Sequence, residues 1–251
     1  MQTQDGIVTS ENATIIGRVD TNRAIEWVSG GFNLFLKKPG EFVIAGLILF
    51  VITFVLNYIP ILGGGLTTML GVVAAGAMML FCRAVENAQD PLVESQKAAN
   101  ITPLWILSAI AAGAGIVIAL IGMFLGATVL GLAFLSPALA VAMVGLIFGA
   151  MTLISIPVIM ALWLAPGLVV FKGTEPIEAI RLSFGAATKN IGAFIVFYIL
   201  AVIASFIGGL LLRVGLIVVY PIVLCALYMA YKDIFGAASP AAVVSLMKEA
   251  S

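Results

Sequence analysis

The sequence contains no histidine. That removes the commonest metal ligand and the side chain best suited to acid–base work near neutral pH. No Ser–His–Asp constellation can form. Cysteine is confined to Cys82 and Cys225, and two thiols without histidine cannot complete a four-ligand zinc site unless carboxylates help. Both lie in apolar stretches near expected helix ends and read as buried free thiols, packed as small hydrophobes. A disulfide between them is the alternative. Charge is scarce as well. Only 10% of the 251 residues are charged, against about 25% in an ordinary soluble domain. Twelve basic side chains cancel twelve acidic ones. No Lys/Arg run points to nucleic acid, and no polybasic cluster points to strong binding of anionic lipid. The chain therefore reads as non-enzymatic, with no cofactor, no metal and no nucleic-acid partner. Its first 22 residues are polar and lack the basic-then-apolar order of a signal peptide.

What is present is apolar surface. Hydrophobic residues make up 63% of the chain, and its mean hydropathy is +1.21. A soluble globule cannot hide so much, so the composition predicts an integral membrane protein with membrane lipids as its surroundings. The charges fall in islands separated by long gaps: Glu41 to Arg83, Lys97 to Lys172, Lys189 to Arg213, and Arg213 to Lys232. A helix needs ~20 apolar residues to cross the ~30 Å hydrocarbon layer. The first gap fits two spans, near Phe42–Ile59 and Gly65–Phe81. The last two fit one each, near Ile191–Leu211 and Gly215–Tyr231. The second gap, Leu104–Phe171, can hold two long helices or three ordinary ones. Lysine and arginine mark the cytoplasmic side, and keeping all four basic islands there demands an even number. The expectation is an all-α, polytopic protein with six transmembrane helices arranged as three hairpins and with both termini cytoplasmic. Spans three and four should be long, tilted or kinked, with Pro157 and Pro166 as places to bend. Residues 1–19 read as a mobile cytoplasmic terminus and 20–251 as one membrane domain. The sequon Asn12-Ala-Thr14 is inert on the cytoplasmic side.

Two stretches look alike at an offset of 152. Ile25 and Glu26 fall on Ile177 and Glu178, Phe32 on Phe184, Lys37 on Lys189, Gly40 on Gly192, Phe42 on Phe194, Phe54 on Phe206 and Gly63 on Gly215. Ile25, Val28, Phe32 and Phe35 share the helical spacing of Ile177, Ile180, Phe184 and Ala187, one apolar face in each copy. This predicts a parallel internal repeat of about 23–82 and 175–232, each unit a cytoplasmic interfacial amphipathic helix followed by two spans. Trp27, Phe32, Ile177 and Phe184 are the candidate interfacial residues. The middle hairpin, about 92–171, has the looser introduction Pro91–Asn100 and is a candidate third unit. Trp105 and Trp163 also fall near expected interfaces.

Span three carries Ala111, Gly115 and Ala119 at four-residue spacing, then Gly122 and Gly126. Span four carries Gly145 and Gly149. Small residues at this spacing let helices approach closely in lipid. Gly115, Gly122, Gly126, Gly145 and Gly149 are the candidate packing seam, within the chain or between copies. No ionisable residue sits deep in a span, which argues against a proton- or ion-coupled pump. Arg83 and Glu86 are placed for an i, i+3 surface pair.

Several motifs carry a resemblance. They are Gly31-Phe32 with Leu34-Phe35 before Pro39, Ile59-Pro60-Ile61-Leu62-Gly63, Arg83-Ala84 with Pro91-Leu92, and Trp163-Leu164-Ala165-Pro166-Gly167-Leu168-Val169-Val170-Phe171. The last runs on into Pro176-Ile177-Glu178-Ala179 and Ser183-Phe184. Together these resemble a broad group of uncharacterised six-helix bacterial inner-membrane proteins, the hypothetical transmembrane proteins. They are more distantly similar to the membrane domain that accompanies some glycerophosphodiester phosphodiesterases, whose catalytic domain is not present here. The resemblance implies architecture and a bacterial inner-membrane location, with no site to carry over. The functional expectation is a non-catalytic accessory, assembly or envelope-organising subunit, partnered by other membrane proteins or by itself. The alternative is a permease or channel for a small neutral or apolar solute.

Overall fold

The computed structural model describes residues 16–59, 62–210 and 215–236. The described chain is almost wholly helical: α1 Arg23–Lys37, α2 Pro39–Leu56, α3 Leu62–Glu86, α4 Pro91–Gln96, α5 Thr102–Leu135, α6 Pro137–Trp163, α7 Ala165–Lys172, α8 Pro176–Lys189, α9 Ile191–Leu210 and α10 Gly215–Tyr231. No strand occurs among the described residues. Six segments are long and apolar enough to cross a membrane: Pro39–Leu56, Gly63–Glu86, Thr102–Leu135, Pro137–Lys172, Ile191–Leu210 and Gly215–Gly236. The long charge-free gap thus holds two spans. Arg213, the sequon at Asn12 and the tail bearing Lys248 lie outside the described residues, as does most of the expected mobile terminus. Its last part, residues 16–19, is tied down. Gly17 N donates to Ile234 O at 2.8 Å, and Val19 N donates to Asn190 Oδ1 at 2.8 Å.

Local chemistry sets the helix ends. Six of the ten described helices carry proline in their first turn, at Pro39, Pro91, Pro103, Pro137, Pro166 and Pro176. There the missing N–H costs no hydrogen bond. Asp90 caps α4 through Leu92 N at 2.9 Å. Asn190 closes α8, its Nδ2 donating to Ala186 O at 3.0 Å. The helix continues unbroken through Pro157, and the break in span four falls at Leu164, just before Pro166. A proline ring clashes with the carbonyl four residues back. Ser183 of α8 repairs the break. Its hydroxyl accepts from Leu164 N at 3.0 Å and donates to Met160 O at 3.0 Å, standing inside what would be an i→i−4 backbone bond.

Packing follows a ring. The helix that precedes each pair of spans lies on the second span of the pair before it. So α4 packs on α3, α8 on α6 and α7, and α1 closes the circle on α10. The buried residues of α1 are Ala24, Trp27, Gly31, Leu34 and Phe35. Those of α8 are Pro176, Ala179, Ser183, Ala186 and Ala187. Every member of the first set lies 152 residues before a member of the second. Ile25, Phe32, Ile177 and Phe184, expected at the interface, stand next to these buried positions with their side chains exposed, while Phe35 and Ala187 are buried. Close backbone approach is the reason. A Cβ at Gly31 would stand 2.4 Å from Ala226 N, so the contact selects a small residue and turns the bulky neighbours outward. The turns match too. A Cβ on Gly63 would meet Leu56 O at 2.2 Å, and one on Gly215 would meet Gly208 O at 2.6 Å.

The buried core gathers at the end where the charges lie. Consecutive spans alternate direction, so all described Asp, Glu, Lys and Arg side chains fall at this one end. The 34-residue α5 would run ~51 Å at ~1.5 Å per residue, well beyond the hydrocarbon thickness. No residue of α5 after Ala112 is buried, and in α6 only Ala140 is. The far parts of these two helices pack on each other and otherwise stand clear of the body.

Candidate functional site

At the charged end, α3, α7 and α10 converge. Each terminates in a cation: Arg83, Lys172 and Lys232. Cations are favoured there by the negative end of each helix dipole. The chain of α10 passes directly into a π-helical turn, Lys232–Gly236, a distortion frequent at functional sites. The turn aims Asp233 back at α1. Arg23 grips it with two donors, Nε to Oδ2 at 2.8 Å and Nη2 to Oδ1 at 2.7 Å. Trp27 Nε1 donates to the same Oδ2 at 2.9 Å. The hydrogen bonds to Asp233, with Glu26 adding, raise the Arg23 pKa above its ordinary value. This pairing locks the ring at the α1–α10 junction.

Beside it lies a cavity of about 480 Å³ lined by Arg83, Glu86, Asn87, Phe171, Tyr228, Tyr231 and Lys232. Tyr228 donates to Glu86 Oε2 at 2.7 Å, and Lys232 pairs with Glu86 Oε1. The expected Arg83–Glu86 pair is not made, because α10 supplies Glu86 with better partners. Arg83 instead lies 4.8 Å from the Phe171 ring centroid, and its nearest carboxylate is Glu94 at 3.6 Å. Phe171 also packs on Tyr231, with centroids 4.9 Å apart. Lys172 stands 5.3 Å from the Phe235 ring.

Cys82 and Cys225 meet under this cavity. Both are buried, their Cα atoms are 5.9 Å apart, and their sulfurs are bonded. The expectation of free thiols is corrected here. Packing of α3 against α10 brings the pair within bridging distance, which no local sequence signal reveals. Alkylation in denaturant should therefore add no group without reductant and two groups with it. Two adducts without reductant would sink the bridge. The bond joins α3 to α10 across 143 residues, so the Cys82→Ala/Cys225→Ala double variant should lose about 2–4 kcal/mol of stability.

The residues singled out from sequence fall in three places. Trp27, expected at an interface, is only 2% exposed and packs on Phe194 and Phe197. Phe32, Ile177 and Phe184 lie on outward faces. Of the glycines, Gly115 faces Thr68 of α3 and Gly122 faces Met151 of α6, both loosely, while Gly126, Gly145 and Gly149 face open space. The tight helix contacts occur at Gly31 and Gly46, which meet α10 backbone. No group of residues able to hold a metal occurs among the described residues. Sequence reasoning missed the cavity because its residues come from three distant segments. The available signal was that Arg83, Lys172 and Lys232 each close a return span. Compared with known protein families, curated proteins and solved structures, the chain finds no match.

Proposed function

We propose that the protein is a non-catalytic subunit of the bacterial inner membrane, with both termini cytoplasmic. In this reading it acts as an accessory, assembly or envelope-organising component. Its body is a set of parallel units, 23–82 and 175–232, each an interfacial amphipathic helix and a hairpin of two spans. Residues 92–171 form a third, longer unit. The matched buried positions of α1 and α8 and the ring of contacts support that construction.

One observation carries the functional reading. The buried core is apolar and aromatic, filled by Trp27, Phe42, Phe81 and Phe197, while the far part of the α5–α6 pair exposes large apolar side chains such as Leu146 and Phe148. Hydroxyls in the spans are turned inward on their own helices. Thr53, Thr68, Thr128, Thr152 and Ser155 bond carbonyls three or four residues back. Among the described residues only the buried Thr67 hydroxyl has no partner. A surface of apolar helix standing clear of its own body suits contact with another membrane protein or a second copy. The permease reading is favoured by a single feature, a groove of about 600 Å³ between α6 and α9, lined by Met151, Ser155, Trp163 and Tyr198.

The test combines orientation and partnership. In a background lacking Cys82 and Cys225, cysteines at Tyr58 and Ser136 should label from outside intact cells. Those at Gln96 and Glu178 should label only after permeabilisation. Purification in mild detergent should retain a membrane-protein partner or a second copy, and changing Leu146 and Phe148 to alanine should release it. Solute flux into proteoliposomes by the isolated monomer would overturn the subunit reading.

A further inference from the structure

We propose that the cavity at the charged end is a binding site for a phosphate group carried by a membrane phospholipid headgroup or by a soluble phosphate ester. This goes beyond the subunit reading and does not depend on it. Four observations converge.

Arg83 is the first. Its guanidinium stands over the Phe171 ring, 4.8 Å from the centroid, and its carboxylate partner Glu94 is held loosely at 3.6 Å, longer than a good hydrogen bond. A guanidinium offers five donors in a rigid fork that matches phosphate oxygens two at a time. The contact with the ring consumes none of those donors.

The second is the balance of charge. The ionisable side chains on the wall are Arg83, Lys232 and Glu86. Glu86 is engaged on both oxygens, by Tyr228 and by Lys232. It therefore positions Lys232, and the carboxylate that pairs with Arg83, Glu94, is shared with Lys97 and does not line the cavity. Lys172, next in sequence to Phe171, adds a further positive charge nearby.

The third is Tyr231. The residue is 7% exposed, its ring packs on Phe171, and it lines the cavity. A phenolic hydroxyl can donate to a phosphate oxygen. A phosphate oxygen held by Arg83 would supply the acceptor. Asn87 on the rim adds amide donors of the same kind.

The fourth is depth. Arg83 and Glu86 end α3, and Lys232 follows α10, so the cavity sits where the apolar spans give way to charge. Phospholipid phosphates lie at that level, and basic pockets between transmembrane helices capture anionic headgroups. Basic residues scattered through the sequence thus become a local cluster by folding.

Native mass spectrometry of the full chain from nanodiscs of phosphatidylcholine with a minority of phosphatidylglycerol tests the proposal. One phosphatidylglycerol should survive per chain at collision energies that strip the rest. Arg83→Gln should weaken its retention about tenfold. Tyr231→Phe keeps the ring and removes only the hydroxyl, and should weaken it about threefold to tenfold. Arg181→Gln removes a cation of α8 outside the cavity and should change nothing. In a second arm, inorganic phosphate or glycerol 3-phosphate is added to protein in pure phosphatidylcholine nanodiscs. A thermal shift abolished by Arg83→Gln, with no retained lipid in the first arm, assigns the site to a soluble phosphate. Retained lipid without that shift assigns it to the headgroup. Should Arg83→Gln fail to fold, Tyr231→Phe decides. Wild-type retention and shift in Tyr231→Phe, equal losses in Arg181→Gln, or no phosphate response in either arm would overturn the proposal.

Discussion

Replacing Gly31 by leucine is expected to lower stability by about 3 kcal/mol or more, through overpacking at a contact between backbones. The reason is geometric. A Cβ at this position would stand 2.4 Å from Ala226 N, 2.8 Å from Ala226 Cα and 2.9 Å from Ile222 O. These are main-chain atoms of α10, so no rotamer change can make room. The helix α1 must move off α10 as a body, and the Arg23–Asp233 grip and the Trp27 contacts loosen with it. Gly145→Leu is the matched control, because a Cβ there meets nothing within 4 Å. That change should stay within about 0.5 kcal/mol. Thermal melts of both variants in the same detergent make the comparison. Equal midpoints would show that α1 is not seated on α10.

Trp27→Ala should cost about 3–5 kcal/mol, the range for emptying a large aromatic from a packed core. Trp27 joins three elements. It stacks at an angle on Phe194 with centroids 5.7 Å apart, meets Phe197 edge-on at 6.2 Å, and donates to Asp233 at 2.9 Å. Trp27→Phe separates the contributions. It keeps most of the packing and removes the indole donor, while Asp233 retains both Arg23 bonds. That variant should lose about 1 kcal/mol from the missing hydrogen bond. Phe32→Ala, on the outward face with Phe32 46% exposed, should lose less than Trp27→Ala by several-fold. Chemical denaturation in detergent ranks the three. A larger loss for Phe32→Ala than for Trp27→Ala would show that the face bearing Phe32, and not the one bearing Trp27, carries the packing of α1.

The outward Ile25 and Phe32 show where sequence periodicity stops. Hydrophobic spacing finds residues that avoid water, and in a membrane protein both lipid and core satisfy them. Ile25 and Phe32 avoid water while facing outward. The core side of α1 is chosen instead by shape, at Ala24 and Gly31, where a small residue admits the backbone of α10. The same ambiguity affected the glycines. Spacing alone drew notice to Gly145 and Gly149, which face open space, and passed over Gly46, whose Cβ would lie 2.2 Å from Ile217 O. The bend at Leu164 was legible only to within a turn. Proline marks places where a break can come, taken at Pro166 and not at Pro157, and the Ser183 hydroxyl that stabilises it arrives from another helix.

The sequence by itself determined the number of spans, their limits and the gathering of charge at one end. These follow from the cost of placing charge in hydrocarbon and from the length needed to cross it, both properties of local chain. The 152-residue offset was legible too, since helical spacing is written in consecutive residues. Only the tertiary structure decided the closing of α1 on α10, the joining of Cys82 to Cys225, and the meeting of Arg83, Phe171, Tyr231 and Lys232 around one cavity. Those groups lie scores of residues apart. What unites them is the packing of helices whose order in space the chain's apolar pattern leaves open.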